Sequence, residues 1–341
     1  MNKPLFAQIT DTHLRVGNQD FIEKLFDEFL EACIKAGIKT VYHLGDFFDT
    51  RKEQPEEVLV TAGRIFSKFD RCNINLIIIP GNHDKVNPLG TSSYLLEFQF
   101  HPNVTVISTP TYFQEDLYGI ILLPYFEDSR NEIFLEQNKH LAQTSTNPVY
   151  VGAHCEVEGI IPEGKTIRFP LPIKLLKNFT KVFVGHYHNL SKIGTNIFYI
   201  GSSHQDYFSE DEEKGYTVVY QSGAHKQYSL TFPIWKEEII NLSEGTFTED
   251  YVVDKYGAEM YHNATRVRLH FKGDRSLMSV VNIQRLKSLG FKIKTTIEGE
   301  GIIISETPKE ETIKFDLQNS LKEFCEINQL EFDILEPYLN D

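Results

Sequence analysis

Metal-ligating side chains in this sequence gather in short strings, each following or closing an apolar run. Asp11-Thr12-His13 comes after Leu5–Thr10, Gly45-Asp46-Phe47-Phe48-Asp49 after Thr40–Leu44, and Gly81-Asn82-His83-Asp84 after Asn75–Ile79. Gly152-Ala153-His154 closes the run Val149–Ala153, and Gly185-His186-Tyr187-His188 follows Lys181–Val184. A carboxylate and an imidazole two residues apart face one ion where the chain is still extended. Carboxylate, imidazole and amide donors together suit Mn, Fe or Zn better than Ca, and no thiolate is placed to select a softer ion. One histidine at a strand end is usually a hydrogen-bonded core residue. Here His13, His83, His154, His186 and His188, out of 12 histidines, all fall in these strings, and that clustering favours a metal site.

The elements that must position these strings read as alternating strands and helices. Leu5–Thr10, a helix over Phe21–Ala36, Thr40–Leu44, a helix near Glu56–Phe69 and Asn75–Ile79 make β-α-β-α-β. Further strands are expected at Val104–Ile107, Ile120–Leu123, Val149–Ala153, Lys181–Val184, Ile197–Ile200, Tyr216–Tyr220 and Lys226–Phe232. Many are apolar throughout, as strands covered on both faces should be. The pattern predicts a layered α/β core, two sheets sandwiched between helices, with working groups at strand ends. Near Pro233-Ile234-Trp235 this rhythm breaks. A smaller α+β unit is expected after it, with a strand at Arg266–Phe271, a helix at Ser276–Leu289, strands at Phe291–Ile297 and Ile302–Ser305, and a last helix at Thr312–Ile327. The expected division is 1–232, 233–311 and 312–341.

A chain of 341 residues, 41% hydrophobic and 24% charged, has the balance of a soluble two-domain protein. A net charge of −14 opposes autonomous binding to nucleic acid, which rewards a basic surface through counterion release. Any grip on DNA must then be local or borrowed. The acidic run Glu210-Asp211-Glu212-Glu213 reads as a solvated loop. Cys33, Cys72, Cys155 and Cys325 have no CxxC spacing and read as reduced thiols; Cys155, beside His154, reads as packing. Without a signal-peptide profile or a long apolar stretch, no membrane association is expected and the cytoplasm is the expected compartment. His43 reads as a core histidine, whereas His204 is divided between surface and substrate contact.

In order, DxH, GDxxD, GNHD, a separate His and GHxH resemble the calcineurin-like metallophosphoesterase superfamily over about residues 5–232. The resemblance implies a four-layer α/β/β/α sandwich with a smaller C-terminal α+β capping domain. It implies that Asp11, His13, Asp46 and His188 hold one divalent metal and Asp46, Asn82, His154 and His186 the other, with Asp46 bridging. His83 would lie beside the scissile phosphate and Asp84 would orient it through the other ring nitrogen. Two cations roughly 3.5–4 Å apart share one hydroxide and clamp the phosphate oxygens during in-line displacement. A protonated His83 would stabilise the transition state or protonate the leaving oxygen.

Protein phosphatases of this type carry GDxVDRG and GNHE, and this chain departs from both. Gly45-Asp46-Phe47-Phe48-Asp49-Thr50-Arg51, the GHYH string and Tyr199-Ile200-Gly201-Ser202-Ser203 are similar to SbcD and the meiotic-recombination nuclease family, phage members included. That resemblance implies a DNA exonuclease or endonuclease subunit using two Mn²⁺ ions, with Mg²⁺ as the substitute. It also implies a homodimer, an SbcC-like coiled-coil ABC ATPase partner and, for a phage-encoded chain, the host cytoplasm. Only one helix, Thr312–Ile327, follows the capping-like unit to attach such a partner. Arg266, Arg268 and Lys292, then Lys272, Arg275, Lys287 and Lys294, are candidate DNA contacts, each weighed against an ordinary solvated charge. The alternative is a small-molecule or cyclic-nucleotide phosphodiesterase on the same core. A non-catalytic scaffold with a relict site is the third reading, and the intact motifs argue against it.

Overall fold

The computed structural model describes residues 2–159, 169–245, 247–262 and 265–297. It divides into two compact units, Met1–Trp235 and Lys236–Asp341. In the first, strands β1 (Pro4–Ile9), β2 (Thr40–His43), β3 (Asn75–Ile78), β4 (Val104–Val106), β11 (Gly215–Tyr220) and β12 (His225–Ser229) form one six-stranded sheet in the order β12-β11-β1-β2-β3-β4. Strands β5 (Thr111–Gln114), β6 (Gly119–Leu123), β7 (Val149–His154), β8 (Lys181–Gly185), β9 (Ser191–Ile193) and β10 (Ile197–Tyr199) form a second, in the order β5-β6-β7-β8-β10-β9. The sheets meet through Phe6, Tyr42, Leu44 and Ile79 from one and Ile120, Leu122, Tyr150 and Phe183 from the other, all fully buried.

Helices cover the outer faces. Helix α1 (Gln19–Ala36) buries Ile22, Leu25, Phe26, Phe29, Leu30 and Cys33, and α2 (Glu56–Cys72) buries Val58, Thr61, Ala62, Ile65, Phe66 and Phe69. Both sets recur every three or four residues, so each helix lays one stripe on the first sheet. Each large apolar side chain buried this way contributes roughly 1.5–3 kcal/mol. On the second sheet, α3 (Arg130–Asn138) supplies Leu135 and α5 (Ile173–Leu176) supplies Leu175 and Leu176; between them runs the single turn α4 (Leu141–Thr144). The α/β/β/α layering is the expected one.

In the second unit β13 (Trp235–Asn241, which begins on the last residue of the first unit), β14 (Arg266–Gly273) and β15 (Lys292–Ile297) form a three-stranded sheet. Helix α6 (Glu249–His262) packs on its inner face, where Val252, Val267, Leu269, Phe271 and Leu286 are fully buried. Arg268 pairs in register with Lys292, His270 with Lys294 and Phe271 with Thr295. Strand alternation therefore sends Arg266, Arg268, Lys272, Lys292 and Lys294 to the face opposite Val267, Leu269 and Phe271.

Several expectations need correction. The helix expected over Ser276–Leu289 is two short ones, α7 (Arg275–Met278) and α8 (Ile283–Ser288), because two caps compete. Asp274 Oδ1 accepts from Leu277 N at 2.9 Å, and Asn282 Oδ1 starts a new helix by accepting from Arg285 N at 3.1 Å. The last strand of the first unit stops at Ser229, short of Phe232. The polar stretch after Pro233 is itself strand, and β5, β9, α3 and α6 have no counterpart among the expected elements. The expected strand Ile302–Ser305, the helix Thr312–Ile327 and the 312–341 segment, with Cys325, lie outside the described residues. Among the described residues no helix is long and apolar enough to cross a membrane.

Candidate metal centre

The strings of ligand-type residues lie at the carboxyl ends of β1, β2, β3, β7 and β8, and parallel pairing of β1 with β2, β2 with β3 and β7 with β8 brings those ends to one rim. Asp11, His13, Asp46 and His186 have φ of 52°, 43°, 53° and 89°. Among the described non-glycine residues only Asn73 shares that left-handed backbone. Such conformations cost of order 1–3 kcal/mol each and persist where the surroundings over-determine them. Here tight packing does so. A Cβ on Gly81 would collide with the backbone and carboxylate of Asp46, and one on Gly45, at φ 93°, would come within 2.5 Å of the His154 ring.

Two groups of donors converge. In the first, the Nε2 atoms of His13 and His188 lie 3.1 Å apart, and each is 3.9 Å from Asp11 Oδ1. In the second, Asn82 Oδ1 lies 3.0 Å from His154 Nε2 and 2.9 Å from His186 Nδ1, while Asp46 Oδ2 is 3.2 Å from His154 Nε2. The tautomer of neutral His154 follows from its neighbour: Nδ1–H donates to the Leu44 carbonyl at 2.7 Å, so that in the uncharged ring the Nε2 lone pair faces two oxygens. Lone pairs gathered like this repel unless a cation or a proton lies among them. The same excess of negative charge acts on the rings: although burial opposes it, Asp49, Asp46 and Asp11 raise His13 to about 9, and Asp46 raises His154 to about 9. The donor sets fit divalent cations of the borderline class. Asp11 joins the groups, accepting from the His186 amide at 3.0 Å.

Asp49, outside the expected ligand set, backs this centre. Its carboxylate is 3.4 Å from His13 Nδ1 and 3.7 Å from the Arg15 guanidinium, and its carbonyl accepts from His83 Nδ1–H. His83 also donates its amide to Asp46 Oδ1 at 2.8 Å. Asp84 does not orient the His83 ring as expected. It is fully buried and accepts from the amides of Gly81 at 2.8 Å, Phe48 at 2.9 Å and Phe47 at 3.3 Å. Adjacent in sequence but aimed inward, it clasps the GNHD turn to the GDFFD turn.

The acidic run is not simply a solvated loop. The side chain of Glu210 is only 7% exposed and reaches His188 Nδ1 at 2.5 Å. His204 is neither surface nor free for substrate: it is buried, with Nδ1 3.0 Å from Ser203 Oγ and Nε2 3.5 Å from Asp206 Oδ1. Asp206 in turn takes a two-point contact from Arg15, at 2.8 and 3.1 Å. No spacing in the sequence links these residues to the motifs. His43 is fully buried with Nε2 3.1 Å from Thr12 Oγ1, and Cys155 is buried with its thiol pushed up by burial. Of the candidate DNA contacts, Arg268 is engaged by Glu237 at 2.9 Å.

A family model described as calcineurin-like phosphoesterase matches residues 4–190, more than half of the chain. Exonuclease subunit 1 of Enterobacteria phage T4 is 31% identical over 178 residues, 51% of this chain and 50% of its own length. The DNA double-strand break repair protein Mre11 of Sulfurisphaera tokodaii is 27% identical over 229 residues, 63% of this chain and 57% of its own. One of the subunits of nuclease SbcCD from Staphylococcus saprophyticus is 25% identical over 331 residues, 87% of this chain and 86% of its own. The chain thus spans about half of the first relative and under three fifths of the second. With its motifs in order at the rim of a two-sheet sandwich, the chain belongs to the calcineurin-like phosphoesterase family.

Proposed function

We propose that this chain is a two-metal DNA phosphodiesterase, the nuclease subunit of an SbcCD-like recombination and repair complex. The observation that carries the reading is the pair of donor groups, Asp11, His13 and His188 beside Asp46, Asn82, His154 and His186, whose lone pairs face one another at 2.9–3.9 Å. Two divalent ions held there, Mn²⁺ or Mg²⁺, would activate water near neutral pH and polarise the phosphate. In this assignment Asp46 would be a ligand to both ions. His83, fixed through its amide and Nδ1, directs its other nitrogen to the phosphate and the leaving oxygen.

The second unit is proposed to orient DNA. Its outward sheet face carries Arg266, Arg268, Lys272, Lys292 and Lys294, and Glu237 draws in Arg268 and Lys294. In a chain of net charge −14 this is a local basic surface. The proposed partners are a second copy and a coiled-coil ABC ATPase. The names of the relatives, an exonuclease subunit, a nuclease subunit and a DNA double-strand break repair protein, support an assembly of this kind. End-labelled duplex and single-stranded DNA, incubated with Mn²⁺ or Mg²⁺ with and without the ATPase, should be cut only when metal is present. Hydrolysis of cyclic nucleotides with no cutting of DNA in either arm would reject the nuclease assignment.

A further inference from the structure

Among the described residues outside the donor groups, the stretch Gln205–Lys214, which no motif covers, holds buried charge in Asp206, Lys214 and the Glu210 side chain. Glu210 lies 22 residues beyond His188 and its side chain is 7% exposed. Oε1 is 2.5 Å from His188 Nδ1, and Oε2 accepts from the Asp206 amide at 3.1 Å and faces Lys214 Nζ at 3.2 Å. Lys214, 0% exposed, donates to the main-chain carbonyl of His188 at 2.5 Å and to Asn189 Oδ1 at 3.2 Å. Ser202 N donates to that same carbonyl at 3.0 Å. The acid thus holds the imidazole and the ammonium holds the backbone of one residue.

Burying a lysine and a glutamate without full pairing is strongly unfavourable, so this pair is stable only because every partner is in place. A carboxylate can only accept, so His188 Nδ1 carries a proton, and the neutral ring then offers its Nε2 lone pair on the side where His13 Nε2 and Asp11 lie. We infer that Glu210 and Lys214 are positioning residues that fix the tautomer and rotamer of His188 for cation binding. This rests on the two-metal reading of the site. A carboxylate behind an imidazole raises its basicity toward a metal, and loss of such a partner typically costs about 10–100-fold in affinity.

The test is Mn²⁺ binding by equilibrium dialysis and electron paramagnetic resonance on the full chain. Asp46→Asn and His188→Ala serve as references, and circular dichroism verifies folding. Glu210→Ala should still fold, bind one of two Mn²⁺ ions about 10–100-fold more weakly, and lower kcat on a small phosphodiester with little change in KM. Lys214→Met should weaken the same ion. Glu210→Asp keeps the charge but withdraws it, and should fall between the parent and Glu210→Ala; it serves as the test variant if the alanine change prevents folding. Parental affinity in a folded Glu210→Ala or Glu210→Asp, while both references lose Mn²⁺, would overturn the assignment of Glu210. Retention of both ions by Asp46→Asn and His188→Ala as well would overturn the two-metal reading beneath it.

Discussion

Asp46 and His83 are neighbours in space with different expected duties. Asp46 offers Oδ2 to His154 at 3.2 Å and Oδ1 to the His83 amide at 2.8 Å, so one carboxylate touches both a donor group and the turn that carries His83. Asp46→Asn should weaken both metals together and abolish hydrolysis; full activity at low metal concentration would remove its bridging role. His83→Ala should retain two metals by elemental analysis while losing about 10²–10⁴-fold in kcat, the usual range for a proton-transfer group. Loss of a metal in that variant would make His83 a ligand. The sequence named both residues, but it could not say that the Asp49 carbonyl holds His83, because that contact spans 34 residues between two turns.

At the scale of elements, rigidity comes from clasps between strand ends. Burial first, then the charge of Asp46, pushes Asp84 up to about 6, while the Phe48 and Gly81 amides pull it down. Asp84→Asn replaces an acceptor with a donor facing amide donors and should cost about 1–3 kcal/mol in denaturant unfolding. It should also lower activity, since the turns carrying Asp46 and Asn82 lose their common tether. Strand β2 contributes a pH effect of its own. Burial drives His43 from 6.5 down to about 3, so below 6.5 the unfolded chain takes up a proton that the folded chain does not. Its contribution to stability is therefore present above 6.5 and is lost as pH falls toward 3, by about 1.4 kcal/mol per pH unit. Urea unfolding in EDTA at several pH values should show a slope shallower by one proton in His43→Gln. An unchanged slope would mean that His43 is charged in the folded state.

For the whole molecule, net charge and local charge have opposite signs, and salt should separate them. Arg266→Gln with Lys292→Gln should leave hydrolysis of a small phosphodiester unchanged. The same pair should weaken DNA binding and reduce the slope of log affinity against log salt by about 0.9 for each phosphate contact removed. Arg268→Gln should reduce the slope by less than one full phosphate contact, because Glu237 already neutralises it at 2.9 Å. Identical slopes in all three proteins would remove this sheet face from the DNA path.

The sequence alone determined what local pattern encodes. Stripes such as Ile22, Leu25, Phe26 and Phe29 and the apolar runs of β1, β2, β3, β7 and β8 required helices over doubly covered strands, and five strings at strand ends named the donor residues. It failed where a signal was weak or divided. The edge strand β9 has only three residues, α3 buries only Asn131 and Leu135, and two caps inside Ser276–Leu289 split one apparent helix. Only the tertiary structure decided which donors face each other, that Asp84 points inward, and that Glu210 leaves an acidic run to hold His188 at 2.5 Å. The physical reason is range. Hydrophobic periodicity and capping act within a few residues of chain, whereas the partner of a buried charge is chosen by whichever donor the packed sheets bring within about 3 Å of it.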